Sequence, residues 1–239
     1  MPTLVVLPTY NESLNVEPML RALRDSVPAA TVLVVDDASP DGTAAKAQAI
    51  SDEIGQIEIL RRANKSGLGG AYRDGFTWGL ARGYDQFVEI DCDFSHDPRD
   101  LPRLLAAGQS HDVVIGSRYV PGGAIPRWSL PRRLLSRGGN QYASVMLGLA
   151  VADSTAGYRV YSKGALEKIA YNTVTSDGYG FQIEMTYRAK CANASIEEIP
   201  ITFTDRTRGE SKMSSVIVFE ALVMVTRWGA QRAVQRFLH

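Results

Sequence analysis

The strongest constraint on the fold is a regular alternation of short apolar runs and helical patterns over the first 117 residues. Five apolar runs predict strands, at Leu4–Leu7, Thr31–Val35, Ile57–Leu60, Phe87–Ile90 and Val113–Ile115. The segments between them have helical spacing, over Leu14–Ser26, Thr43–Ile54, Gly67–Arg82 and a helix that begins near Pro98. Because strands that alternate with helices form right-handed βαβ units, the sequence predicts an α/β fold. We expect a mostly parallel sheet with helices on both faces.

The second half of the chain has a different pattern. Tyr119–Pro131 contains three Pro and two Gly, which is typical of a loop. Further helices are predicted over Arg132–Leu149, Gly180–Ala192 and Met213–Leu238, and further strands over Gly157–Tyr161 and Ile196–Phe203. Since no repeat or low-complexity linker interrupts the chain, we expect a single domain over 1–239. It would comprise three parts, 1–117, 118–212 and an amphipathic C-terminal helix over 213–239.

Composition excludes several classes of protein. The chain has 26 Lys and Arg against 26 Asp and Glu. It therefore lacks the net positive charge that would favour binding to nucleic acid. Its two cysteines lack zinc or disulfide spacing, which favours a reducing compartment. No signal peptide precedes the first strand, and no stretch approaches the roughly 20 apolar residues needed to span a bilayer. We therefore expect a cytoplasmic protein that can still contact a membrane surface.

Two carboxylates directly follow the fourth predicted strand. Asp91 and Asp93 have the period-2 spacing that directs both side chains to one side of an extended backbone. Two like charges this close repel each other unless a cation or a proton neutralises one of them. Carboxylate oxygens at a strand end suit Mg²⁺ or Mn²⁺, which commonly retain positions for substrate phosphate. The alternative is a plain acidic turn, with Asp97 capping the next helix.

Polar residues also follow the first three predicted strands. They are Pro8–Glu12 after the first, Asp36 and Asp37 after the second, and Asn64–Gly70 after the third. Because ligands of parallel sheets bind beyond the carboxyl ends of the strands, four polar strand ends favour a binding site over solvated turns. The glycines of Asn64–Gly70 could approach a phosphate, but they lack the spacing of a dinucleotide fold. Close helix–sheet packing is the favoured reading of those glycines.

An arginine-rich segment without acidic residues lies between Val113 and Ala152. Its arginines are Arg118, Arg127, Arg132, Arg133 and Arg137. Because no acid nearby in the sequence could pair with Arg118 or with the group Arg132, Arg133 and Arg137, we expect a phosphate monoester as their partner. His96 follows the paired carboxylates and is expected to support that turn rather than to act in chemistry.

Several motifs occur in one order along nearly the whole chain. They are Pro8–Glu12 (PTYNE), Val35–Asp37 (VDD), Asp91–His96 (DCDFSH), Gly116–Tyr119 (GSRY), Ser136–Asn140 (SRGGN), Asp153–Tyr161 (DSTAGYRVY), Gly178–Gln182 (GYGFQ) and Arg208–Lys212 (RGESK). Together they resemble the dolichol-phosphate (polyprenol-phosphate) mannose synthases. These are inverting glycosyltransferases with a nucleotide-sugar-binding, GT-A-like α/β fold.

The resemblance implies that 1–117 is a nucleotide-binding half and that 118–212 is an acceptor and phosphate-clamp half. It also implies a role for each matching residue. Nucleotide-sugar binding would fall to Pro8, Tyr10, Glu12, Val35, Asp37, Asp91, Cys92, Asp93, Arg206 and Lys212. Asp91 and Asp93 would bind the metal, Mg²⁺ or Mn²⁺, whereas Ser95, where some relatives carry Gln, is left out of the metal set. The catalytic group would comprise Asp93, Arg118, Arg206 and Lys212. The acceptor phosphate would bind Arg118, with Arg132, Arg133 and Arg137.

The expected reaction is transfer of mannose from GDP-mannose to a polyprenyl (dolichyl) phosphate, with inversion at the anomeric carbon. A lipid monophosphate has a second pKa of about 6, so it can attack without a protein base. The alternatives are transfer of glucose from UDP-glucose and a catalytically silent nucleotide-binding membrane adaptor. The apolar, arginine-containing stretch 213–239 is typical of an interfacial helix, with a core helix as the alternative. Expected partners are the cytoplasmic membrane surface and a membrane-anchoring protein, and no nucleic acid.

Overall fold

A computed structural model describes the backbone of residues 1–206 and 215–237. Within these residues the strands are β1 (Thr3–Thr9), β2 (Thr31–Asp36), β3 (Ile57–Arg61), β4 (Gln86–Glu89), β5 (Val113–Ser117), β6 (Arg159–Ser162) and β7 (Ile196–Pro200). The α-helices are α1 (Val16–Ser26), α2 (Thr43–Ile54), α3 (Leu68–Leu80), α4 (Leu101–Ala107), α5 (Leu130–Leu147), α6 (Lys163–Ile169), α7 (Gly178–Cys191) and α8 (Ser215–Phe237). Two short 3₁₀ turns lie at Pro98–Asp100 and Tyr171–Thr173.

The strands form one sheet in the order β3-β2-β1-β4-β6-β5-β7. All neighbours pair in parallel except β6, which runs antiparallel to both β4 and β5. The predicted α/β fold with a mostly parallel sheet is thus confirmed. The insertion of β6 separates β4 from β5, although these two strands are consecutive in the first half of the chain.

Strands β1 and β2 are apolar on both faces because helices cover both sides of the sheet. Leu4 and Val6 of β1 belong to one buried cluster, whereas Val5 and Leu7 belong to the cluster on the opposite face. Near-continuous apolar runs are the usual sequence pattern of a parallel strand covered on both sides. Because packing on both faces holds these strands in place, it also holds the polar residues at their ends.

The C-terminal helix α8 packs against α5 and α7. The Trp228 ring stacks on Tyr187, with 5.7 Å between ring centroids. Tyr142 Oη lies 2.7 Å from Thr226 Oγ1, which joins α8 to α5. Val225 of α8 is buried, but Val223 and Val234 are more than half exposed. One side of α8 therefore belongs to the core, whereas apolar side chains on another side are exposed.

In the described ranges, no helix is both long enough and apolar enough to cross a bilayer.

Candidate active site at the strand ends

The carboxyl ends of β3, β2, β1 and β4 lie side by side in the sheet, so the four polar segments predicted from the sequence meet along one edge. The ends of β1 and β2 are joined directly. Thr9 Oγ1 donates to Asp36 Oδ1 at 2.9 Å, and Asp37 N donates to Thr9 O at 2.9 Å. Pro8 and Val35, both expected at the nucleotide site, are register partners in this pair of strands.

The Asp37 carboxylate holds the turn that follows β3. It accepts hydrogen bonds from the backbone amides of Ser66 and Gly67, each at 3.1 Å, and from Arg62 Nη1 at 2.5 Å. From this turn, Lys65 places its ammonium 3.9 Å from the centroid of the Tyr10 ring. Tyr10 and Asp37, which follow different strands, are thereby brought to one place.

Glu12 occupies the start of the segment that leads into α1. Its Oε2 accepts a hydrogen bond from Asn15 Nδ2 at 2.8 Å, and its backbone amide donates to Thr43 Oγ1 at 2.9 Å. The preceding residue, Asn11, has a φ of 55°, a left-handed conformation that Asn tolerates better than most residues. These bonds fix Glu12 beside the end of β1.

Asp91 and Asp93 lie at the end of β4, as the motif predicts. Asp93 Oδ2 forms an ion pair with Arg206 Nη2 at 2.9 Å, and its Oδ1 accepts a hydrogen bond from Ser95 N at 2.9 Å. Tyr72 Oη donates to Asp91 Oδ1 at 3.4 Å. Desolvation and the charge of Asp93 raise the pKa of Asp91 to about 7, although Arg206 opposes this shift.

The two carboxylates fit a divalent cation that is shared with substrate. Burial and the charge of Asp93 raise the pKa of Asp91, and a bound cation would offset both effects. In the described part of the chain, no cluster of three or more His, Cys, Asp and Glu residues could form a closed metal site. A site with one or two carboxylates is typical of Mg²⁺ or Mn²⁺ that also binds phosphate oxygens. The helix cap expected for a plain acidic turn is also present, because Asp97 Oδ1 accepts a hydrogen bond from Arg99 N at 2.9 Å.

A third carboxyl group, Glu89, lies buried beneath Asp91 and was not singled out from the sequence. It sits two residues earlier on β4, and its Oε2 accepts a hydrogen bond from Gln182 Nε2 at 2.9 Å. Burial raises the pKa of Glu89 to about 7, and the nearby Arg159 guanidinium opposes this shift. The available signal was a glutamate within an otherwise apolar strand.

Arg118 is buried and paired with an acid, contrary to the sequence argument. Its Nε and Nη2 donate to the two oxygens of Asp153 at 2.7 and 2.6 Å, and Nη2 also donates to Thr155 Oγ1 at 2.7 Å. Burial would raise the pKa of Asp153, but the Arg118 guanidinium holds it below its usual range. The inference that no acid could pair with Arg118 was wrong, because Asp153 is the first acid after the acid-free segment and folds back onto it.

The same correction applies to one member of the downstream arginine group. Arg132 forms an exposed ion pair with Asp205 at 3.1 Å and lies 4.0 Å from the centre of the Trp128 ring. Arg133 and Arg137 are exposed, and neither has an ion-pair partner among the residues that the structure describes. The inference that no acid could pair with this group is therefore wrong for Arg132.

Residues 201–206 lead from the end of β7 to the paired carboxylates. Thr204 N donates to Ser95 O at 3.1 Å, and Phe203 N donates to Ala124 O at 2.9 Å. Arg206 then reaches Asp93, as described above. Lys212, which is expected to act with Arg206, lies outside the described residues.

His96 is buried in an aromatic environment. Its ring centroid lies 5.1 Å from that of Tyr158 and 5.2 Å from that of Phe203, and its Nδ1 has no hydrogen-bond partner within the described ranges. Burial lowers the pKa of His96 to about 4. This environment agrees with the structural role expected for His96.

The glycines after β3 serve close packing. A Cβ on Gly69 would lie 2.8 Å from Ser176 O, and a Cβ on Gly67 would overlap the Asp177 carboxylate. Asp177 Oδ1 instead accepts a hydrogen bond from Gly69 N at 2.7 Å, so that it caps α3 from a distant loop. The geometry therefore supports close packing, but against Ser176 and Asp177 and not against the sheet as expected.

Comparison with known proteins identifies the family. Residues 4–170 match the model described as glycosyl transferase family 2. The chain belongs to that family. It is 52% identical over 229 residues, 96% of this chain and 94% of the other, to an undecaprenyl-phosphate mannosyltransferase from Micrococcus luteus. It is 46% identical over 236 residues, 98% of this chain and 89% of the other, to a polyprenol monophosphomannose synthase from Mycolicibacterium smegmatis. The resemblance read from the motifs is confirmed.

Solved structures show the same fold at low sequence identity. The mannosyltransferase PcManGT from Pyrobaculum calidifontis, in complex with GDP-Man and Mn²⁺, matches with a TM-score of 0.62 and 16% identity over 98% of this family 2 chain. TarS from S. aureus, in complex with UDP-GlcNAc, matches with a TM-score of 0.61 and 16% identity over 95% of it. The chain spans 64% and 66% of the lengths of those two proteins. These similarities confirm the GT-A-like fold.

Proposed function

We propose that this family 2 glycosyltransferase transfers mannose from GDP-mannose to a polyprenyl (dolichyl) phosphate, with inversion. The observation that carries the proposal is the paired carboxylates Asp91 and Asp93 at one sheet edge with Tyr10 and Asp37. Support comes from similarity over nearly the whole length to two polyprenyl-phosphate mannosyltransferases. The fold of a mannosyltransferase bound to GDP-Man and Mn²⁺ is consistent with this donor.

The donor would lie across the ends of β2, β1 and β4. The proposed nucleotide-sugar-binding residues are Pro8, Tyr10, Glu12, Val35, Asp37, Asp91, Cys92, Asp93, Arg206 and Lys212. Asp91 and Asp93 would hold Mg²⁺ or Mn²⁺, which when bound would supply Lewis-acid stabilisation to the diphosphate. Arg206 would neutralise charge at the same point, and its ion pair with Asp93 supports this role.

The acceptor phosphate would lie near Arg118, with Arg132, Arg133 and Arg137 around it. Asp153 and Thr155 hold Nε and Nη2 of Arg118, and Nη1 has no hydrogen-bond partner among the described residues, so Nη1 would donate to the phosphate. A phosphate monoester is largely ionised near neutral pH and can act as the nucleophile itself. A single displacement would then give a β-linked product from an α-linked donor.

A mixed apolar and basic surface on α5 supports contact with lipid. Leu134 and Leu135 are 62% and 73% exposed, and the arginines Arg133 and Arg137 share the same helix. Exposed apolar side chains beside cations are typical of helices that lie in a membrane interface. We therefore propose that the protein acts at the cytoplasmic face of a membrane, alone or with an anchoring partner.

The decisive assay offers labelled GDP-mannose, UDP-glucose or UDP-N-acetylglucosamine to a short polyprenyl phosphate, with and without a chelator. We expect metal-dependent transfer from GDP-mannose. Asp93→Ala should abolish transfer with the fold intact, and Arg118→Ala and Lys212→Ala should reduce turnover severely. Transfer from UDP-glucose would instead establish the glucosyltransferase alternative. Nucleotide binding without transfer from any donor would establish the adaptor alternative.

A further inference from the structure

Lys65 lies beside a residue of the proposed nucleotide site without being part of the recognised motifs. Its ammonium lies 3.9 Å from the centroid of the Tyr10 ring, which is a cation–π contact. Lys65 is exposed, and in the described part of the chain no carboxylate lies within ion-pair distance of it. A cation without a carboxylate partner, placed over an aromatic ring at the ligand-binding edge of the sheet, is available to a ligand.

The backbone around Lys65 is held in place. The next two residues, Ser66 and Gly67, both donate their amides to the Asp37 carboxylate at 3.1 Å. Arg62, three residues before Lys65, donates to the same carboxylate at 2.5 Å. The lysine side chain can therefore move while its Cα stays fixed relative to β2.

The strand order shows which end of a nucleotide Lys65 would meet. The carboxylates that would face the diphosphate follow β4, whereas Lys65 follows β3, and β1 and β2 lie between these strands. Three strand spacings separate β3 from β4 by about 14 Å. A nucleotide with its diphosphate at Asp91 and Asp93 therefore extends its base toward β2 and β3, where Tyr10 and Lys65 meet.

We propose that Lys65 is a specificity-determining residue that recognises the nucleotide base. A base would stack on the Tyr10 ring, as bases stack on exposed aromatic side chains. The ammonium would leave the ring face and donate a hydrogen bond to a carbonyl oxygen at the edge of the base. Guanine presents such acceptors, O6 and N7, and lysine commonly pairs with them, whereas adenine presents an amino group at the corresponding position. The inference rests on the nucleotide donor of the proposed function, but not on the sugar or the acceptor.

The test compares nucleotide affinities of the full chain and of its Lys65→Ala variant by calorimetry. Loss of one charge-assisted hydrogen bond should weaken the affinity for GMP by about tenfold, and the affinity for GDP by the same factor. AMP should bind the wild-type protein weakly and should lose no further affinity in Lys65→Ala. Lys65→Arg should retain most of the affinity. Lys46→Ala is the matched control, because Lys46 is an exposed lysine that donates to Ser13 O at 2.8 Å.

Two outcomes would overturn the proposal. The first is equal GMP affinity in wild type and Lys65→Ala, with circular dichroism showing that both proteins are folded. This result would show that Lys65 does not contact the base. A much larger loss for GDP than for GMP would place Lys65 at the phosphates. If the wild-type protein binds only uridine nucleotides, the proposed donor is wrong. The same comparison with UMP and UDP then decides the role of Lys65, since uracil also presents a carbonyl oxygen.

Discussion

Replacing His96 by Phe should make the protein more resistant to acid without impairing it near neutral pH. The ring is 2% exposed, lies between Tyr158 and Phe203, and has no partner for Nδ1 among the described residues. An apolar ring of similar size can fill this site, and it carries no proton to gain. His96→Leu serves as a second apolar variant in case the larger Phe ring is poorly accommodated.

The direction and size of the effect follow from the pKa of His96. Burial lowers it from the ordinary 6.5 to about 4, so the unfolded chain takes up the proton before the folded protein does. The stability from this residue is therefore fully present above about pH 6.5 and is lost as the pH falls toward 4. Between about pH 7.5 and about pH 5, the loss amounts to about 2 kcal/mol.

Urea denaturation at a series of pH values, followed by tryptophan fluorescence, measures this contribution. The difference in unfolding free energy between His96→Phe and wild type should shift in favour of the variant by about 2 kcal/mol over that range. His111→Gln, at a partly exposed histidine 3.9 Å from Glu197, is the control and should show no such shift. Parallel pH profiles for wild type and His96→Phe would refute the reasoning. Loss of transferase activity in a folded His96→Phe would show that the ring has more than a structural role.

Two further substitutions test contacts that connect distant parts of the chain. Asp153→Ala leaves the buried Arg118 guanidinium without its counter-charge and should reduce the unfolding free energy by about 3–5 kcal/mol. Glu53→Ala, which breaks an exposed ion pair, should change it little in the same urea titration, and equal effects of the two variants would contradict this account. Gly67→Ala should lower the unfolding free energy by at least about 1–3 kcal/mol, because Gly67 has a φ of 86° and the Cβ of Ala would overlap Asp177. An unchanged melting temperature for Gly67→Ala would show that this turn is not constrained as described.

The sequence predicted that the polar segments of the candidate site would meet, because each of them follows a strand end. In a parallel sheet, residues that follow successive strands must lie at one edge, whatever their distance along the chain. Once the strands were assigned correctly, Tyr10, Asp37 and Asp93 could be predicted to lie at the same edge of the sheet. This reasoning did not predict the position of the antiparallel β6, because the local apolar pattern of a strand does not show which strands it pairs with.

The pairing of charges was predicted less well, and for a related reason. Arg118 and Asp153 are 35 residues apart, and the absence of nearby acids in the sequence says nothing about an acid that tertiary folding brings in. Glu89 was missed because a single glutamate in an apolar strand is usually read as an interruption. Its hydrogen bond to Gln182, 93 residues away, is again a tertiary contact. Local sequence thus identified which groups carry charge, but not which of them neutralise each other.

The buried pair changes how an anionic acceptor would be attracted to this half of the protein. Arg118 and Asp153 together carry no net charge, so their field falls off quickly with distance, and Arg132 is likewise offset by Asp205. Arg133 and Arg137 are exposed and have no ion-pair partner in the described ranges, so they would provide the longer-range attraction for such an acceptor. That attraction is screened by salt over about 8 Å at physiological ionic strength, whereas a short bond from a buried guanidinium is screened much less. Recruitment of a lipid phosphate should therefore depend on salt through Arg133 and Arg137, and its final orientation should depend on Arg118.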